Sequence, residues 1–385
     1  MTMPPDLHES AHATRMLELL RARIAAAGGW LSFDSYMRIA LYEPGLGYYS
    51  AGAHKLGAGG DFTTAPEISP LFGRCLGRHC VGVLQALGGG DVLELGAGSG
   101  RLAFDVLQTM ALLGTLPDRY LILEISADLR DRQRQLLATL PATLAMRVEW
   151  LDAPPAAGWQ GALLANEVLD ALPVKRFVIR SGVWCELGVA MDAQGALHWS
   201  DRVAGAAFAA AIDARVAAAE VPEGYESELC PLVLPWVGEV TATLQRGVAL
   251  FIDYGLPRRD YYSAQRNRGT LRCHYRQLAH DDPFAHPGME DLTAWVDFTQ
   301  VAEAADAAGL EVLGYATQAG ALLGLGIENE IVTATDEKVR LRRAAEARQL
   351  LMPTEMGETF KFIALGRAFD APLAGFVHQD LRRYL

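Results

Sequence analysis

The feature that most constrains this chain is the stretch Glu94-Leu-Gly-Ala-Gly-Ser-Gly100, set between the apolar run Asp91–Leu95 and a helical pattern from Gly100 to about Leu113. Glycines at 96, 98 and 100 let the backbone turn sharply and leave no Cβ between main chain and ligand. A helix starting at Gly100 points free N–H groups and its positive dipole end at whatever sits above the turn. Strand, glycine turn and helix in that order belong at the carboxyl edge of an open α/β sheet, where such sheets bind ligands. A phosphate or an amino-acid carboxylate could use this turn equally well.

The flanking pattern agrees. A helix over Leu71–Leu87 precedes Asp91–Leu95, and strands at Tyr120–Leu123, Met146–Glu149 and Gly161–Ala165 alternate with helices. Short apolar strands separated by helices predict an α/β, Rossmann-like, doubly wound and mostly parallel sheet covered on both faces. The alternation breaks after Asp170. Phe177–Arg180, Trp184–Val189 and Ala196–Trp199 read as hairpin strands punctuated by Ser181-Gly182 and Gly195, followed by an Ala-rich helix and a helix near Trp236–Gln245. The core resumes at Val248–Ile252, gives way to an irregular Gly255–Asp297, and closes with Leu310–Thr317, a charged helix (Asp336–Leu351) and Phe360–Leu365. The expected organisation is an N-terminal helical and loop extension (1–75) and a ligand-binding core (76–330). Insertions follow the fourth strand (about 171–245) and the fifth, and residues 331–385 complete the core.

Composition narrows the function. The net charge is -12, and no Lys/Arg block is long enough for a basic face, so nucleic acid is not expected as a partner. Five scattered cysteines without a C-x-x-C pair fit neither a disulfide framework nor a zinc site, and no metal is expected. No apolar run reaches the roughly 18 residues of a membrane span, so no stable membrane insertion is expected. Residues Thr14–Ala27 read as an amphipathic helix packed on the domain, and a cytoplasmic setting is expected, a mitochondrial matrix with transit peptide being the alternative.

Spacing separates the cofactors. A dinucleotide fingerprint, G-x-G-x-x-G, would place its third glycine at Arg101. The pattern here is G-x-G-x-G with an acid, Glu94, two residues before it, which resembles the first motif of class I methyltransferases and points to S-adenosylmethionine. Nicotinamide or flavin binding, or a turn without ligand, are the alternatives. Glu124, ending the next strand, is placed to accept both ribose hydroxyls. Asp152, after the third strand, is a candidate for the adenine edge.

Asn166-Glu-Val-Leu-Asp-Ala-Leu-Pro173 follows the fourth strand and so shares the ligand edge. Methyl transfer from a sulfonium is an in-line displacement, dominated by positioning and proton handling. Glu167 and Asp170 share one face if the segment begins a helical turn, and with Asn166 they are the candidate catalytic residues. Two carboxylates could grip a guanidinium fork and take its proton; the alternative is a helix-capping Asn with solvated acids. Asp253 and Tyr254, after the fifth strand, are either pocket groups or a strand-end turn. Asp61 and His286 complete the candidate pocket residues, while His274 and His280 read as loop histidines.

Together these stretches resemble the MidA family, methyltransferases that include a mitochondrial complex I assembly factor. The resemblance is carried by Tyr42–Tyr49, Gly60–Ser69, Glu94–Gly100, Asn166–Pro173, Asp253–Gly255, Asp291–Phe298 and Met356–Lys361, from about residue 30 to 365. It implies a protein arginine N-methyltransferase whose partner is a protein, such as a complex I-type subunit, and it allows a homodimer. A small-molecule methyltransferase and a non-catalytic assembly chaperone are the alternatives on the same fold.

Overall fold

A computed structural model describes residues 7–50 and 64–385. Seven strands build the central sheet: β1 (Asp91–Leu95), β2 (Tyr120–Leu123), β3 (Val148–Leu151), β4 (Trp159–Asn166), β5 (Leu244–Leu256), β6 (Glu311–Thr317) and β7 (Phe360–Arg367). Their order is 3-2-1-4-5-7-6; β1 to β5 are parallel, and β7 runs antiparallel between β5 and β6. The expected doubly wound, mostly parallel sheet is therefore present. The order reverses between β1 and β4, which opens a crevice above their carboxyl ends.

Strands buried on both faces read as near-continuous apolar runs, and side chains alternate faces along them. All of β1 is buried, with Val92 packed into one helical layer and Leu93 and Leu95 into the other. In β5 the same division puts Val248, Leu250 and Ile252 on one side and Ala249 and Phe251 on the other.

A second layer sits over the ligand edge. Lys175–Arg180, Val183–Met191, Leu197–Val203 and Glu226–Leu229 form an antiparallel sheet, joined by Leu31–Ser32 from the N-terminal region, which pairs with Val183–Met191. The Ser181-Gly182 hairpin forms as expected, both residues taking positive φ (49° and 75°), the geometry that suits the twist of a two-residue hairpin loop. Arg272–Tyr275, Leu278–His280 and Asp291–Thr293 make a third, three-stranded sheet.

Sequence divides this layer into an N-terminal extension and two insertions, but the structure unites all three. Met16, Leu20, Phe33 and Tyr36 share one apolar core with Val174, Val189, Leu271, Cys273 and Leu292. The buried Arg176 guanidinium donates to Glu228 at 3.1 Å and to the Arg268 carbonyl at 3.1 Å. Glu228 also accepts the Thr270 N–H at 2.8 Å, stitching one insertion to the other. Among the described residues, no helix is long and apolar enough to cross a membrane.

Removing one partner of a buried ion pair leaves the other charge uncompensated, at a cost of about 3–5 kcal/mol. Glu228→Ala should lower stability by that order in chemical unfolding, whereas exposed Glu337→Ala should change it by less than about 0.5 kcal/mol. Equal midpoints for the two variants would remove Arg176–Glu228 as the link.

Candidate active site

β1 ends at Leu95, and the chain turns through Gly96, Gly98 and Gly100 at φ of 63°, 54° and 85° before the helix Arg101–Leu112. These are left-handed conformations that side chains rarely adopt. At Gly100 a Cβ would also stand 3.2 Å from the Gln133 side chain. Above the turn lies a cleft of about 310 Å³ whose walls include Glu94, Gly96, Gly98, Glu124, Asn166 and Glu167. Tyr42 and Tyr49 of the N-terminal region and Trp236 of the first insertion close it.

The acids beneath the cleft are held rather than solvated. Glu94 accepts the Tyr120 hydroxyl at 2.6 Å, and burial pushes its carboxyl up to about 7. Burial also raises Glu124, against the Ser126 N–H at 2.9 Å, the Gln133 amide at 3.2 Å and the Gly98 N–H. Gln133, fully buried, is the residue sequence reading missed. Its Nε2 donates to the Gly98 carbonyl (2.9 Å) and to Glu124, and its Oε1 accepts the Trp150 indole N–H (2.9 Å). It therefore fixes the distance between the glycine turn and the Glu124 carboxylate. Nothing in the repetitive helix Ala127–Leu137 marks it out.

Asp152 is not brought to this cleft. Its side chain is 91% exposed and accepts Arg130 at 2.6 Å. Arg130 in turn ties down the carbonyls of Glu124 and Leu151 at the ends of β2 and β3, so the Asp152 carboxylate serves the strand ends.

The segment after β4 departs from expectation. It forms no helical turn, so Glu167 and Asp170 do not share a helix face. Instead Glu167 takes a positive φ of 53°, uncommon for a residue with a side chain, while its N–H donates to the Ile252 carbonyl at 2.8 Å. Asp253 is buried beneath this loop and accepts the N–H groups of Leu169 (3.0 Å), Asp170 (3.2 Å) and Tyr254 (2.9 Å). It is thus an internal strut and lines neither cleft. Asn166 Nδ2 donates to Glu167 at 3.0 Å, and its buried Oδ1 has no partner among the described residues.

A second cleft, of about 260 Å³, lies on the far side of this loop, lined by Asp170, Tyr254, Arg272, His274, Asp291, Thr293, Trp295 and Phe360. Among the described residues Glu167 alone lines both clefts. Burial, then the neighbouring Asp170, pushes Glu167 up to about 8, against the Asn166 amide and the Ala65 N–H. Burial raises Asp170 to about 6, opposed by the hydroxyl that Tyr254 donates to it. Tyr49 reaches across from the first cleft and donates to Asp291 at 2.9 Å. His286 is not brought here; it stacks on Tyr275 at 4.0 Å and lines neither cleft. Asp61 lies outside the described residues.

The first cleft fits S-adenosylmethionine: a glycine turn at a helix N-terminus for the carboxylate, and a buried acid for the ribose. Glu124→Ala should weaken its binding by about 1–3 kcal/mol, the scale of hydrogen bonds to a charged group. Gln133→Ala should cost about 1 kcal/mol through loss of the brace. Calorimetry showing unchanged affinity in both would remove this cleft as the binding site.

Comparison with known proteins agrees with this geometry. Residues 75–316 match a family model for S-adenosyl-L-methionine-dependent methyltransferases. The mitochondrial protein arginine methyltransferase NDUFAF7 of Mus musculus is 30% identical over 93% of this chain and 85% of its own length. The protein of that name from Danio rerio is 29% identical over 95% and 93%. A crystal structure from Burkholderia thailandensis, bound to S-adenosyl-homocysteine, superposes with a TM-score of 0.95 at 42% identity over all of both chains. Glycine turn, braced acid and family match together place this chain in the family of S-adenosyl-L-methionine-dependent methyltransferases.

Proposed function

We propose that the chain is a protein arginine N-methyltransferase whose acceptor guanidinium enters the second cleft and meets the cofactor at Glu167. The observation that carries this reading is the pair of clefts sharing that one carboxylate, with Asp170 beside it. The names of the curated relatives support it.

S-Adenosylmethionine supplies a methyl group on a cationic sulfonium. The residues here do the rest. A guanidinium arrives charged, because its pKa lies above 12, and presents a planar fork of donors. Asp170, held by Tyr254 and by the Asp253-anchored backbone, and Glu167 offer the matching oxygens. As one guanidinium nitrogen forms its bond to carbon, the carbon–sulfur bond breaks and its electron pair stays on sulfur. The nitrogen sheds a proton, and the Glu167 carboxylate takes it. With its carboxyl raised to about 8, Glu167 is a strong proton acceptor when ionised, a state that becomes the major one above about pH 8. A complex I-type subunit as the acceptor protein is the finer part of the proposal and rests on the family resemblance.

Glu167→Gln keeps the shape and removes the charge, so S-adenosylmethionine affinity should hold while single-turnover rate falls by about 10²-fold or more. Asp170→Asn should show the same split. Normal turnover in both, measured as labelled methyl transfer into an arginine peptide, would end the carboxylate mechanism.

Two pH effects follow from the raised carboxyl. Acceptor kcat/KM should decline as pH drops through about 8 and below, because protonated Glu167 neither holds a cation nor takes a proton. Stability runs the other way. A carboxyl raised by folding contributes stability below its unfolded pKa and loses it as pH climbs to about 8. Glu167→Gln should therefore melt higher than the parent at about pH 9 and lose that advantage by about pH 4. A constant difference in melting temperature across this range would show that Glu167 is not held in its protonated form.

A further inference from the structure

Building on the arginine reading, we infer that the second cleft selects acceptor arginines with acidic residues beside them, held by arginines at its mouth. Exposure grades the cleft from floor to rim. Asp170 and Asp291 are 5% and 2% exposed, whereas the Arg272 side chain is 55% exposed. The floor is built for a cation and the rim for an anion.

The segment that supplies the rim is locally basic: Leu256–His280 carries six arginines against one acid, Asp260, and is followed by Asp281 and Asp282, in a chain whose net charge is -12. One of these arginines lines the cleft and a second stands on a residue of its wall. Arg272 lines it, and Arg266 lies 4.8 Å over the ring of Trp295, another lining residue. Lys361 takes no part at the rim: it is buried, and its ammonium donates to the Glu358 and Thr359 carbonyls.

Their existing partners leave them available. Arg258 is taken up by Asp297 and Glu303, and it plays no part at the rim. Arg272 meets Asp281, but that carboxylate is 77% exposed, and exposed pairs of this kind contribute little, so an incoming acid exchanges with it readily. A nucleic-acid strand gains from the rim but brings phosphates toward the carboxylate floor, whereas a peptide with acidic flanks around one arginine satisfies both. An arginine-rich peptide fits the floor and is repelled by the rim.

The test uses two peptides of equal length with one central arginine, flanked by glutamates in one and lysines in the other. Both are offered to the full chain with methyl-labelled S-adenosylmethionine. The glutamate peptide should show kcat/KM about tenfold higher, mainly through KM, and the ratio should shrink toward one as salt rises from about 0.05 to 0.5 M. Arg272→Glu should abolish or invert the preference with S-adenosylmethionine affinity unchanged; Arg266→Glu is the second variant if the first does not fold. Equal kcat/KM, or a preference for lysine flanks, overturns the inference and leaves the arginine reading intact. A glutamate preference that survives both high salt and Arg272→Glu overturns the role of the rim arginines. Transfer into neither peptide, with label entering another acceptor, overturns the arginine reading and this inference together.

Discussion

The carboxylate of Asp253 ties the loop after β4 to β5, and both clefts stand on that junction. β4 and β5 run parallel with Asn166 beside Ile252; Glu167 then leaves the sheet, while Asp253 stays within β5, paired with Lys361 of β7. One Asp253 oxygen then accepts two successive N–H groups of the loop after β4, and the other accepts the N–H of Tyr254. Burial, with Asp170 and Glu167 nearby, raises the Asp253 carboxyl well above the usual carboxylate range, and its backbone donors oppose that shift only in part. The same bonds bring Asp170 back against the Tyr254 hydroxyl and leave Glu167 standing between the clefts. Loop, acid pair and cleft boundary thus depend on one side chain that touches neither cleft.

Strain is stored at the same place. A residue with a side chain held at positive φ costs on the order of 1–3 kcal/mol, and it persists only where its surroundings enforce it. Glu167 is enforced from both directions: its N–H extends the ladder to β5, and its carboxylate is met by Asn166 and by the Ala65 N–H. The cost is offset by direction, since an extended backbone at this point would continue β4 and carry the carboxylate away from the junction.

What sequence revealed divides along chain distance. The glycine turn, Glu94 and Glu124 were legible because their meaning lies in spacing within one strand–turn–helix unit. The parallel core was legible because both-face burial forces continuous apolar runs. In Asn166–Pro173 the spacing of the acids allows a helical turn, but the loop that forms is anchored by Asp253, far along the chain. Asp152 meets Arg130 outside the walls of the first cleft, a contact that no spacing in the sequence announces. Gln133, and the contact of Tyr49 with Asp291, join residues that no periodicity links. The unity of the second layer was hidden in the same way, since its N-terminal strand pairs with an insertion far downstream.

The placement of β7 has a consequence for how the chain comes to be folded. It lies between β5 and β6 and pairs with both, although it is made after them. Until Phe360–Arg367 arrive, one side of β5 presents unpaired N–H and C=O groups, a template for any extended segment nearby. During synthesis, therefore, half of the sheet waits as an open edge beside the strand that carries Asp253. Chaperone contact or mispairing is concentrated in that interval, and the last strand acts as the lock that ends it.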